Sequence, residues 1–159
     1  MKSKVYVETS IVSYLTARLS RDLIIAANQQ LTQEWWQERR ADFDLYIFQL
    51  VLEEIRGGDP DAATYRVQSI AGLPMLLLNE AAIILAETLT RDVPLPLKAT
   101  ADALHIAIAT VNGLDYLLTW NCKHLANAVL RGRVERLCRA AGYEPPIICT
   151  PQELLESEG

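Results

Sequence analysis

Four polar positions in this 159-residue chain fall where strand-like segments end, and side-chain oxygens or nitrogens there are placed to meet a ligand. Glu8 follows Val5-Tyr6-Val7 and precedes Thr9-Ser10, where a helix is expected to begin. Glu53 and Glu54 lie in Leu52-Glu53-Glu54-Ile55-Arg56-Gly57, just after a second apolar run. Asp102 stands in the first turn of the apolar segment Ala101-Asp102-Ala103-Leu104-His105-Ile106-Ala107-Ile108-Ala109. The segment Leu117-Leu118-Thr119-Trp120-Asn121-Cys122-Lys123-His124 leaves a strand with a polar cluster at its exit. Open parallel sheets place their sites outside the carboxyl ends of the strands. Carboxylates gathered there raise one another's pKa and gain from a cation among them. Each residue also has a plainer role. Taken alone, Glu8 reads more often as a solvated loop acid or helix N-terminal charge than as a ligand, and Asp102 reads equally as an acid that favours a helix N-terminus. Adjacent residues on a helix point different ways, so at most one of Glu53 and Glu54 faces such a site. Asn121 reads as a cap for the following turn and His124 as a packed or surface histidine.

The elements that must position these residues alternate between short β-rich runs and longer helical patterns, the signature of a parallel sheet covered on both faces. Strands are expected at Lys4–Val7, Leu45–Phe48, Met75–Leu78, Tyr116–Thr119 and Ile147–Cys149. Helical spacing of apolar residues covers Leu23–Arg40, Gln49–Arg56, Ala62–Ala71, Glu80–Thr90, Thr100–Val111 and Ala126–Ala141. Asp59-Pro60 reads as an N-cap followed by proline at the first helical position, and Asn79 as the cap of the next helix. Thr150-Pro151-Gln152-Glu153 combines a cap, the same proline position and a capping-box glutamate, so a short helix should follow the last strand. Gly57-Gly58, Gly72, Gly113 and Gly142 fall where helices should stop. Trp35 and Trp36 read as core plus a partly exposed ring, on a helix that is also a plausible contact surface.

Composition narrows the function. Half the residues are hydrophobic, enough for one full core, and the length fits one domain spanning 1–159 better than two. A net charge of −5 argues against coating nucleic acid through bulk electrostatics but leaves room for a local basic rim. The N-terminus MKSKVYVETS enters a strand directly, without the apolar core of a signal peptide, and no apolar run is long enough to span a bilayer. The expectation is a soluble, cytoplasmic protein. Three cysteines without a C-x-x-C pair suggest reduced thiols rather than a disulfide framework or zinc site. A phosphatase or α/β hydrolase would need a nucleophile, and no G-x-S-x-G, phosphate loop or C-x₅-R segment occurs.

The order and spacing of Tyr6-Val7-Glu8-Thr9-Ser10, Leu52-Glu53-Glu54-Ile55-Arg56-Gly57, Ala101-Asp102-Ala103-Leu104-His105-Ile106-Ala107 and Leu118-Thr119-Trp120-Asn121 resemble the PIN-domain family, in particular the VapC-type toxins of toxin–antitoxin pairs. The resemblance covers essentially the whole chain. It implies an α/β fold, a PIN-like three-layer α/β/α sandwich with a parallel sheet of about five strands. It further implies ribonuclease activity dependent on Mg²⁺ or Mn²⁺, with RNA as substrate, a cognate antitoxin as partner and a homodimer as the assembly. Carried onto this chain, the catalytic residues are Glu8, Glu54, Asp102 and Asn121, the metal ligands Glu8, Asp102 and Glu54, and the supporting residues Thr9, Ser10 and Thr119. Thr9 or Ser10 would orient the carboxylates or a water, with the amides at that helix start suited to a phosphate. Two departures stand out. Glu8 occupies a position normally held by aspartate, and Asn121 and His124 stand where a fourth acid is expected, so Asn121 would offer a neutral oxygen. The rival expectation is a PIN-like domain without nuclease activity that serves as a nucleic-acid- or protein-binding module.

Overall fold

The computed structural model describes residues 1–93 and 99–155, excluding the side chain of residue 99. Among these described residues five parallel strands form one sheet: β1 (Ser3–Val7), β2 (Phe43–Phe48), β3 (Met75–Leu76), β4 (Tyr116–Leu118) and β5 (Ile147–Cys149). Their spatial order is β3-β2-β1-β4-β5. The chain therefore builds outwards from β1 in one direction through β2 and β3, then returns to the other side of β1 for β4 and β5. That reversal makes the gap between the carboxyl ends of β1 and β4 a topological switch point, the place where an open sheet leaves a crevice.

Among the described residues, eight helices cover the sheet: α1 (Thr9–Thr16), α2 (Leu23–Glu38), α3 (Gln49–Ile55), α4 (Pro60–Ser69), α5 (Glu80–Asp92), α6 (Ala99–Val111), α7 (Ala128–Ala140) and α8 (Pro151–Leu155). One group packs α1 against α2, α3 and α4, with α8 on α2; the other packs α5 against α6 and α7. The sheet between them completes a three-layer α/β/α sandwich. Expected strands and helices all occur, with shifted ends. β3 stops at Leu76 rather than Leu78, because it pairs only with β2 through Ile47–Met75 and Phe48–Leu76 and Leu77 is already largely exposed. The second helix ends at Glu38, and a single 3-10 turn at Arg40–Asp42 leads into β2.

Local chemistry sets the helix starts. Asp22 accepts from the amides of Ile24 and Ile25, Asp59 from Ala62, Asn79 from Ala82 and Asn127 from Val129 and Leu130. These caps satisfy amides that the first helical turn leaves without partners. The expected capping box forms at α8: Glu153 N–H donates to Thr150 Oγ1 at 3.4 Å, and Thr150 N–H donates to Glu153 Oε1 at 3.2 Å. Gly72, Gly113 and Gly142 adopt φ of 85°, 70° and 90°, the left-handed conformation that ends α4, α6 and α7 without a Cβ clash.

The core is one cluster centred on β1, in which Val5, Tyr6 and Val7 are all fully buried. Trp35 is also fully buried and stacks on Phe43 with centroids 5.7 Å apart, whereas Trp36 is half-buried beneath the Arg40 guanidinium, 4.3 Å from the ring centroid. Among the described residues no helix is long and apolar enough to cross a membrane.

Candidate functional site

β1 delivers Glu8 to the switch point. Its backbone continues the ladder by one bond, Glu8 N–H to Leu118 C=O at 3.1 Å, which sets Glu8 beside Thr119 at the end of β4. The side chain then turns back to cap α1, accepting from Ser10 N–H at 3.1 Å. Glu8 Oε1 also accepts from the Ser10 hydroxyl and from the Thr119 hydroxyl, the latter at 2.6 Å. Ser10 Oγ receives Trp120 N–H at 2.8 Å and Thr119 Oγ1 receives Asn121 N–H at 2.9 Å, so the two hydroxyls tie the acid to the loop after β4. Glu8 is thereby only 6% exposed. Two amides at the start of α1, expected to be suited to a phosphate, are engaged by Glu8 itself: Ser10 N–H by its carboxylate and Ile11 N–H by its carbonyl.

α3 carries the two adjacent acids, and the structure separates them. Glu54 Oε1 accepts from the Thr9 hydroxyl at 2.7 Å, which ties it to the residue that follows Glu8. Glu53 is exposed and meets Gln49 Nε2 at 3.3 Å on the outer face of the helix. The supporting residues Thr9, Ser10 and Thr119 are therefore hydroxyl donors to carboxylates, two of them to Glu8 and one to Glu54.

α6 brings Asp102, also 6% exposed, to the loop after β4. His124 Nδ1 lies 3.0 Å from Asp102 Oδ2, and Asn121 Nδ2 lies 3.4 Å from Oδ1. The Asn121 side-chain oxygen accepts His124 N–H at 3.1 Å. Asn121 thus turns its NH₂ towards the acid cluster, where its oxygen was expected; the oxygen caps its own loop, which removes it as a neutral ligand in this arrangement. His124, read from sequence as a packed or surface residue, fills the place of the expected fourth acid as the partner of Asp102.

Burial raises the Asp102 pKa from its ordinary value, and Glu8 adds to the rise, while His124 and His105 oppose it. Burial likewise holds the Tyr6 phenol well above its usual value, with the charges of Glu8 and Glu54 adding to it. Among the described residues neither Glu8 nor Asp102 forms an ion pair with lysine or arginine. A buried acid whose ionisation is made costlier by burial and by the charge of a second buried acid suits a hard cation: Mg²⁺ commonly uses one or two carboxylates and keeps several waters. The same residues do not make a closed cage. Among the described residues no group of three or more His, Cys, Asp or Glu side chains is arranged to hold a metal ion. The donor set therefore offers two carboxylates, Glu8 and Asp102, with Glu54 tied nearby through Thr9, to an ion that would complete its coordination with waters.

Two further polar residues, Tyr6 and His105, belong to this neighbourhood. Tyr6 hydroxyl lies 2.5 Å from His105 Nδ1, and His105 Nε2 lies 2.9 Å from Glu54 Oε1. Period-two and helical spacing hinted at both. Tyr6 is two residues from Glu8 on one face of β1, and His105 is three residues from Asp102 on one face of α6. The contact to Glu54 needed the three-dimensional register.

Among known proteins, no family model matches the chain and no curated protein does. A solved structure does: a chain of VapBC2 from Rickettsia felis, determined with that complex bound to a DNA fragment from its promoter. The TM-score is 0.61 with 92% of this chain and 98% of that chain covered, and the sequence identity is 12%. At that identity the likeness is one of fold, and the fold of this chain is a PIN-like α/β/α sandwich.

Proposed function

We propose that this chain is a metal-dependent ribonuclease of PIN type, the toxin of a type II toxin–antitoxin pair acting in the cytoplasm. The observation that carries the reading is the convergence of Glu8 and Asp102, each 6% exposed, at the switch point of a PIN-like sheet with Glu54 linked to the same spot through Thr9. Glu8 and Asp102, joined by Glu54, would hold Mg²⁺ or Mn²⁺. When bound, such an ion lowers the pKa of a water and offsets charge building on the phosphate.

The chain's own groups do the rest. Ser10 and Thr119 fix the Glu8 carboxylate through one oxygen, and Thr9 does the same for Glu54. His124 and Asn121 fix both oxygens of Asp102. This rigidity matters because misplacing a reacting group by an ångström costs orders of magnitude in rate. Glu8, one methylene longer than aspartate, is drawn back against the protein by its three donors, which offsets the added reach.

A VapBC complex on promoter DNA as structural neighbour supports pairing with a DNA-binding antitoxin. Homodimerisation belongs to the same reading. A second reading, a PIN-like binding module that does not cleave, is favoured by one observation: both oxygens of Asp102 are already engaged by His124 and Asn121. Incubation of the purified protein with bulk RNA and Mn²⁺ separates the two. The nuclease reading predicts cleavage that is abolished by EDTA and reduced at least about 100-fold by Asp102→Ala. RNA left intact at millimolar Mn²⁺, together with retained RNA or protein binding, contradicts it.

A further inference from the structure

Tyr6 is fully buried and His105 is 1% exposed, in a core where polar groups are costly unless their hydrogen bonds are made. They make them in one line: Tyr6 hydroxyl to His105 Nδ1 at 2.5 Å, then His105 Nε2 to Glu54 Oε1 at 2.9 Å, with Thr9 donating to the same oxygen at 2.7 Å. Donor and acceptor counting assigns the protons. An ionised carboxylate only accepts, so His105 Nε2 carries the proton that faces Glu54. A phenol keeps its proton at neutral pH and donates it to Nδ1. A doubly protonated imidazole would make the Tyr6 oxygen an acceptor and leave its O–H without an acceptor among the described residues.

We propose that Tyr6 and His105 form a buried positioning relay, with His105 held as the Nε2–H tautomer, that fixes the Glu54 carboxylate through Oε1. The purpose of the relay rests on the reading of Glu54 as part of the cation-holding cluster. Neither residue touches substrate or ion; both act through Glu54. The relay grows from the strand and helix that carry Glu8 and Asp102, and it connects them to the acid of a third element, α3. Two polar side chains at zero and 1% exposure both have their polar atoms engaged in this one line of hydrogen bonds.

Two measurements on the full chain test it. Long-range ¹H–¹⁵N spectra of the wild-type protein, labelled at histidine, report which nitrogen of His105 is protonated and need no substitution. The relay requires a proton on Nε2 and none on Nδ1; a proton on Nδ1 overturns it. Calorimetric titration with Mn²⁺ then compares Glu54→Gln, His105→Phe, His105→Gln, Tyr6→Phe and the double variant Tyr6→Phe/Glu54→Gln. Loss of a partner behind a metal ligand costs about 10–100-fold in affinity, the loss expected for His105→Phe. His105→Gln, which can keep an N–H near the Nε2 position, should recover most of it. Tyr6→Phe should weaken binding in the wild-type background and add nothing once Glu54 is Gln. Wild-type affinity in His105→Phe, with Glu54→Gln weakened, overturns the relay and leaves the cation reading standing. Failure of the wild type to bind Mn²⁺ overturns the cation reading and, with it, the relay's purpose.

Discussion

Asp102 sits where burial works against its charge, and the consequence is a dependence of stability on pH. Its pKa in the folded chain lies above the ordinary aspartate value, mainly through burial, with Glu8 adding to it. The folded state therefore holds this proton more tightly than the unfolded chain does. Stability from this group is highest at low pH and falls as pH rises from the unfolded value through the folded one. In metal-free protein, Asp102→Asn should flatten that part of the curve and be no less stable than wild type at pH 7, as read by urea unfolding at several pH values. A larger loss of stability on raising the pH in the variant would contradict it. The two acids of α3 make a second contrast: Glu54→Gln should impair RNA cleavage at least about 10-fold, whereas Glu53→Gln, on the outer face, should leave it within about 2-fold. Sequence spacing allows at most one of the pair to face such a site. Spacing alone does not choose between them, because the choice depends on how α3 is rolled against α1; only the family resemblance singled out Glu54.

Among the elements, the strand and helix pattern was legible because each carries its own period and punctuation: Asp59, Asn79 and Thr150 are caps in the structure as they are in the sequence. What was not legible is set by neighbours. β3 is two residues long because it lies at the sheet edge with β2 as its partner, and no local signal at Leu77 or Leu78 announces that. α2 is anchored by Trp35, fully buried against Phe43, with an indole N–H that has no hydrogen-bond partner among the described residues. Trp35→Ala should lose about 3–5 kcal/mol of unfolding free energy through the cavity it leaves. Trp35→Phe should lose clearly less, since it keeps an aromatic ring and removes the unpaired donor. Equal losses in the two variants, measured by urea denaturation, would show that packing against Phe43 is not what holds this helix.

For the whole molecule, the parallel sheet and the edge at which the acids gather followed from alternating elements and the switch-point rule. The buried connections behind the acids did not, since Tyr6, His105 and Glu54 come from three elements whose register only the fold supplies. The placement of β4 and β5 has a simple chemical check. Cys122 is exposed, while Cys138 and Cys149 are buried and burial pushes the Cys149 thiol up to about 12. A thiol reagent at pH 8 should label one cysteine rapidly in the native protein and three after denaturation, because the thiolate is the reactive form. Rapid labelling of all three in native protein would contradict the sandwich at its β5 edge.

Glu8 and Asp102 are both buried near the carboxyl edge of the sheet, and the charge of Glu8 adds to the cost of ionising Asp102, an arrangement that a divalent cation would relieve. Calorimetric titration of Mn²⁺ into the wild type and Asp102→Ala tests this. Saturable binding by the wild type that disappears in the variant is the expected result. No binding at millimolar Mn²⁺, or binding unchanged by the substitution, would contradict it.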